Sequence, residues 1–161
     1  MNTIFKSALN EQDYPLAVPD EWLIFSKPGH KVIDPVFAGR LAALARSKKK
    51  KIIINSGFRT YREQLYWYRL RKGKGALKPG TSWHEYGGAV DILMPWVREL
   101  DNVPLMEQHQ LLQFGLCKPM AKGNNIFPVE DWHLQPIELA YVNSVSAKTE
   151  FYQTYQPQAK S

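Results

Sequence analysis

The chain contains a single cysteine, Cys117, among 161 residues. One thiol allows neither an internal disulfide framework nor a cysteine-based zinc knuckle, so any metal must be held by histidines and carboxylates. Long apolar runs are also missing, and no stretch approaches the ~18 residues of a membrane span. Residues 1–12, MNTIFKSALNEQ, lack both the basic start and the apolar core of roughly 7–15 residues that a secretory signal carries. The expectation is a chain that is cytoplasmic as synthesised, with no stable membrane insertion. Internal repeats and low-complexity blocks are absent too.

What is present is enough for one core: 44% of residues are hydrophobic and 12% aromatic. A single domain over residues 1–161, acting as a monomer, is expected. Formal charge is +6, and its densest run is Lys48 to Lys51, preceded by Arg46. Such a balance suits an anionic partner: nucleic acid, lipid head groups or a polyanionic cell wall. The run itself reads as a helix end whose lysines complement the helix dipole. It has no interleaved aromatics to stack bases, so no nucleic-acid partner is expected.

The first 30 residues are expected to be irregular, with Pro15, Pro19 and Pro28 breaking up regular structure. From Asp34, "DPVFAGRLAALARSKKKK" combines an Asp N-cap, Pro in the first turn and a basic end, which predicts a helix. "KIIINSG" predicts a short buried strand ending in a turn, and "YREQLYWYRLRKG" returns to helical spacing. "GGAVDIL" has strand character, a helix is expected from about Pro104 to Phe114, and "EDWHLQP" reads as a last short strand. Residues 143–161 form a mostly polar tail. The fold class expected is α+β, a small antiparallel sheet with flanking helices.

Of the four histidines, His84 and His133 combine nearby carboxylates with strand contexts, whereas His30 and His109 do not. The paired glycines Gly87 and Gly88 place His84 in a loop that turns back toward Asp91 on the following strand. Glu130 lies three residues before His133. The two units could thus offer His, Asp, His and Glu, which suits a catalytic zinc with three ligands and one acid left to act on water. The helical H-E-x-x-H signature is absent, since position 88 is glycine.

Taken together, Ser82-x-His84-x-x-Gly87-x-Ala89-x-Asp91, Glu130-x-Trp132-His133 and Ser56-Gly57-Phe58-Arg59-Thr60 with Gln64 resemble the zinc D-alanyl-D-alanine peptidases of the VanY/VanX and phage endolysin group. The resemblance implies a hedgehog/DD-peptidase-like fold and one zinc ion held by His84, Asp91 and His133. It further implies Glu130 as the general base toward the attacking water, passing the proton on to the leaving amine. Arg59 would hold the scissile carbonyl oxygen or a substrate carboxylate. Ser82 and Gln64 are candidate substrate hydrogen-bonders or braces of their loops, and Trp132 packs near the metal. Asp131 and Glu85, each one residue out of register, compete for the acidic roles.

The implied substrate is a peptidoglycan stem peptide, cut at a bond involving a D-amino acid. "SGFRTYREQLYWY" and the Glu-x-Trp-His unit look more like the D,D-carboxypeptidase branch, because the lysin branch tends to carry Asp in place of that Glu. The basic charge and missing export signal suit an L-alanyl-D-glutamate endopeptidase released in phage lysis. A dipeptidase acting on soluble precursors also fits, although the basic loop from Arg71 to Lys78 suits a larger polyanion. A non-catalytic, zinc-stabilised wall-binding module would leave Glu130 and Arg59 without roles.

Overall fold

The computed structural model describes residues 2–15, 21–27, 33–74, 76–155 and 158–160. His30 lies outside the described residues. In chain order the strands are β1 (Asn2–Lys6), β2 (Asp13–Pro15), β3 (Leu23–Phe25), β4 (Ile52–Ile54), β5 (Val90–Asp91), β6 (Leu116–Cys117), β7 (His133–Pro136) and β8 (Gln158–Lys160). The α-helices are α1 (Pro35–Lys48), α2 (Tyr61–Leu70), α3 (Pro95–Glu99), α4 (His109–Gln113) and α5 (Val145–Tyr155). Among the described residues, no helix is long and apolar enough to cross a membrane.

The expected α+β architecture with a small antiparallel sheet is observed. β7 lies between β5 and β6 and runs antiparallel to both, with Asp91 opposite His133 and Cys117 opposite Gln135. β3 and β4 form a separate parallel pair. Just beyond β4, Ser56 bridges Asp91 in antiparallel fashion: the Asp91 amide donates to the Ser56 carbonyl at 2.7 Å. This bridge matters for function, since it sets the SGFR segment beside β5 while β7 flanks β5 on its other edge.

α1 forms where its signals predict. Asp34 caps it, accepting from the amides of Val36 and Phe37, and Lys49 closes it in the left-handed conformation. The lysine run is therefore a helix terminus, as its dipole argument requires. The apolar face of α1, with Phe37, Leu41, Leu44 and Ala45, packs on Ile52 and Ile54 of β4 and on Val90, Ile92, Leu116 and Leu134. β4 alternates as a half-buried strand must, with Ile52 and Ile54 inward and Ile53 exposed.

Several expectations need correction. The segment before residue 30 is not simply irregular, because β1, β2 and β3 lie in it; β1 pairs with both β2 and β8, and such pairing leaves little local trace in sequence. The helix expected from Pro104 to Phe114 is split into a 3-10 turn, Leu105–Glu107, and the short α4, with the Gln108 amide side chain turned inward to the Val103 and Lys118 carbonyls. The polar tail is largely α5. Its Phe151 is buried edge-on against Trp83, with Ala89 and Leu139 completing a second small core.

Candidate metal centre and active site

Three segments distant in sequence meet at the Ser56–β5–β7 junction. Asp91 occupies β5, its backbone fixed on one side by Ser56 and on the other by His133. His84 sits on a 3-10 turn, Trp83–Tyr86, that starts with a capping box: Ser82 Oγ accepts from the turn, and the Glu85 side chain reaches back to the Ser82 amide. Gly87 closes the turn at φ 74°. Gly88 is required by close approach, since a Cβ there would stand 2.6 Å from the Trp83 ring and 2.9 Å from Leu139. The two glycines therefore turn the backbone between His84 and Asp91. Arg59 is drawn in by its amide, which donates to the His84 carbonyl at 2.8 Å.

The side chains His84, Asp91 and His133 converge, with one donor atom from each lying within 4.8 Å of the others. His84 Nδ1–H donates to the Gly57 carbonyl at 3.0 Å, leaving the Nε2 lone pair facing Asp91 Oδ1 at 3.1 Å. His133 is oriented the opposite way round. Its Nε2–H donates to Gln135 Oε1 at 2.7 Å, leaving Nδ1 3.4 Å from the same carboxylate oxygen. The Gln135 amide is in turn fixed by its donation to the Leu139 carbonyl. Anchored outer N–H groups set the tautomer of metal-binding histidines.

Tetrahedral zinc with bonds of about 2.0–2.1 Å requires ligand atoms roughly 3.3 Å apart. The two separations from Asp91 Oδ1, 3.1 and 3.4 Å, fit that requirement, and all three atoms lie within 4.8 Å of one another. Chemically, two neutral imidazoles and one carboxylate form a borderline-soft set with room for a water.

Burial alone would raise the Asp91 carboxyl, but the neighbouring His84 and His133 outweigh it and hold Asp91 well below the usual carboxylate range. Burial lowers His84, whereas for His133 the opposing pull of Asp91 and Glu130 overcomes burial and raises it. Asp91 also spends its second oxygen, Oδ2, on Arg59 at 2.7 Å.

Glu130 lines the same cleft but is not one of the three converging groups. Burial pushes its carboxyl above the ordinary range, against the lowering influence of His133 and Arg59. Both competing acids are engaged elsewhere. Asp131 bonds Arg98, and Glu85 accepts from the Gly80 and Ser82 amides. Arg98 also covers the Trp132 ring, 5.3 Å from its centroid, so Trp132 packs beside the cleft.

Ser82 and Gln64 both border the cleft, and both are buried with structural partners. Ser82 Oγ caps the His84 turn at 3.3 Å. Gln64 Oε1 accepts from Arg59 at 3.2 Å, while its amide donates to the Leu77 carbonyl at 2.9 Å. Ser56 Oγ takes the Arg59 Nε–H at 2.8 Å. His109 is an exposed residue at the start of α4, away from this cluster.

Sequence reasoning missed Gln135 and Lys148. Gln135 had a readable signal, since residues two apart on a strand share a face and His133 was already singled out. Lys148 had none: its Nζ reaches the Thr81 carbonyl 67 residues away. The cleft has a volume of about 630 Å³ and is also bordered by Lys27, Trp67, Arg71, Leu77, Phe127 and Trp132. That size suits a ligand of several residues' length.

No family model and no curated protein matches the chain. Solved structures do. The chain is similar to VanYB in complex with D-alanine-D-alanine, at 25% identity over 75% of this chain and 77% of that one, TM-score 0.48. It is similar to the LdcB LD-carboxypeptidase at 20% identity over 76% and 71%, TM-score 0.49. A vancomycin-resistance D,D-pentapeptidase VanY variant in complex with Zn(II) shares 20% identity over 92% and 83%, TM-score 0.46.

Proposed function

We propose that the protein is a zinc-dependent metallopeptidase that hydrolyses peptidoglycan stem peptides at a bond involving a D-amino acid, of the D-alanyl-D-alanine carboxypeptidase type. The observation that carries the reading is the pair of anchored imidazoles. Each presents its free nitrogen to one carboxylate oxygen, in a cleft that also holds a desolvated glutamate and a fixed guanidinium.

In this reading His84 Nε2, Asp91 Oδ1 and His133 Nδ1 hold the zinc. Bound there, zinc would lower the pKa of a water toward ~7 and polarise the peptide carbonyl. Glu130 takes the proton of the attacking water and delivers it to the amine that leaves. Its raised pKa suits both halves of that task, since a base poised nearer neutrality is also a competent acid. Arg59, held by Ser56, Gln64 and Asp91, offers a fixed positive charge to the developing oxyanion or to the terminal carboxylate. Gln64 and Ser82 position Arg59 and His84.

The Glu-x-Trp-His unit favours removal of a terminal D-alanine over the lysin reaction. The test is to incubate zinc-loaded protein, and Glu130→Ala as control, with purified peptidoglycan and with a soluble pentapeptide ending in D-Ala-D-Ala. Mass spectrometry should show loss of one D-alanine. Release of the dipeptide would reassign it as a dipeptidase, and new N-terminal D-glutamate ends as an endolysin. Absence of any Glu130-dependent product would refute the peptidase reading and leave a zinc-stabilised wall-binding module.

A further inference from the structure

The basic charge of the chain is concentrated in one stretch. Residues 61–80 hold six of its 21 lysines and arginines but only one of its 15 acidic residues, Glu63, whose side chain closes the Thr60 cap. Five of those cations, Arg62, Arg69, Lys72, Lys74 and Lys78, are exposed, and among the described residues none of the five is ion-paired. Helix-end electrostatics do not account for them. Arg69 and Lys72 suit the C-terminal end of α2, but Arg62 sits in its first turn, where the helix dipole opposes a cation, and Lys74 and Lys78 lie beyond the helix.

The stretch presents one surface. Arg62, Tyr66 and Arg69 follow at helical spacing along the outer side of α2, whereas Gln64 is buried on the inner one. Beyond Leu70 the chain turns tightly. The Lys72, Gly73 and Lys74 amides donate back to the Arg69, Tyr68 and Arg71 carbonyls, which keeps both lysines at the end of the helix. Tyr61, Tyr66 and Leu70 stand among these charges, each more than half exposed. Tyrosine beside arginine is a composition enriched at contact surfaces. The surface is also continuous with the cleft, which α2 borders through Gln64 and Trp67 and the following loop through Gly73, Ala76 and Leu77.

We infer that the outer face of α2 and the turn after it, with Arg62, Tyr66, Arg69, Lys72 and Lys74, form a docking surface for the peptidoglycan strand whose stem peptide occupies the cleft, engaging free carboxylates on that strand's other stem peptides. The identity of the polymer rests on the peptidase reading. Continuity with the cleft favours this occupant over a nucleic acid or an acidic membrane, since one strand then fills both sites. A soluble peptide reaches the cleft alone, whereas a polymer reaches both, and the second contact raises the local concentration at the first. The enzyme would thus separate polymer from free peptide by charge lying outside its active site.

Two charge-matched variants of the zinc-loaded protein test this. One carries Arg62→Gln, Arg69→Gln, Lys72→Gln and Lys74→Gln, and the other carries Lys48→Gln, Lys49→Gln, Lys50→Gln and Lys51→Gln at the end of α1. Co-sedimentation with peptidoglycan that has been acid-extracted to remove phosphodiester polymers should weaken by about tenfold in the first variant and stay within about twofold of wild type in the second. Wild-type binding should fall as salt rises. On a soluble pentapeptide ending in D-Ala-D-Ala, kcat/KM should be unchanged in both variants, while D-alanine release from the polymer drops about tenfold in the first, through KM. Equal losses of sedimentation in the two variants would reduce the effect to net charge and overturn the surface. Undiminished sedimentation of the first variant, or an equal loss on the soluble peptide, would overturn it too. Wild-type binding that is tighter to a single-stranded oligonucleotide or to anionic vesicles in the same buffer, or confined to unextracted walls, would overturn the assigned partner. If no peptide is cut, the peptidase reading fails separately, and sedimentation of the two variants decides the surface.

Discussion

Lys148, in the first turn of α5, donates from Nζ to the Thr81 carbonyl at 2.6 Å, three residues ahead of His84. The same ammonium lies over the Trp83 ring, and Trp83 Nε1 donates to the Val142 carbonyl. α5 is therefore joined to the turn that carries His84. Lys148→Met preserves stem packing but removes the tether, and should weaken zinc retention by about tenfold, as outer-shell losses at metal sites do. Competition against a chromogenic chelator measures this. Retention equal to wild type would show that the turn holds His84 unaided.

Gln135 bears on the other imidazole. Gln135→Leu removes the acceptor that fixes His133 with Nε2 protonated, freeing the ring to present the wrong nitrogen. Zinc affinity should fall by about 10–100-fold while the metal-free protein melts near the wild-type temperature. A full-affinity variant would mean that strand packing alone orients the ring.

Glu130 should show opposite signs in activity and stability. As a base it works ionised, and burial raises its pKa, so kcat/KM should decline on the acid side with a midpoint above the ordinary glutamate value of ~4.3. A raised folded-state pKa also means that the protonated form is favoured by folding, an advantage complete below the unfolded pKa and lost as pH rises through the folded one. Glu130→Gln should therefore lose about 10²–10⁴-fold in rate yet melt higher than wild type at pH 7 in the metal-free form, the gain vanishing near pH 4. Equal melting temperatures at pH 7 would argue against the desolvated carboxyl.

Arg59→Ala should cost on the order of 3 kcal/mol in barrier, near 10²-fold in rate. Because Arg59 also bonds Asp91 Oδ2, a metal titration must accompany the kinetics. A rate loss with zinc fully bound assigns Arg59 to substrate. A loss that disappears at saturating zinc assigns it to the ligand sphere instead.

Away from the cleft, Asp34 accepts from Val36, Phe37, Ala8 and Ser7, so it caps α1 and ties the first residues to it. Asp34→Ala should destabilise by about 2–3 kcal/mol, a lost cap plus stranded buried donors, and lower Tm by about 2–4 °C per kcal/mol. A loss under ~0.5 kcal/mol, the low end for caps, would show that the N-terminal segment is held by other contacts.

The parts of the fold with local signals were legible. Asp34 with Pro35 and the Lys48 to Lys51 run mark helix ends through short-range chemistry. β6 and β5, two residues each, exist only because β7 lies between them, and no local pattern specifies such pieces. α5 is similar: "VSAKTEFYQTY" has a weak apolar stripe, and Phe151 against Trp83 holds it. At the site, residue types and motif spacings were visible, but which groups meet was set by the Ser56–Asp91 bridge. The bracing roles of Ser82 and Gln64 were one of two alternatives the sequence offered, and they rest on near neighbours, His84 for Ser82 and Arg59 and Leu77 for Gln64.

That bridge has a further consequence for anyone designing a ligand. The strand carrying Asp91 is hydrogen-bonded along both edges, so its amides should exchange with deuterium only when most of the molecule opens. Leu77 and Phe127, both exposed, stand at the sides of the cleft. An inhibitor would meet an unyielding floor, so metal-directed groups should show one fixed pose whatever substituents they carry toward Leu77 and Phe127.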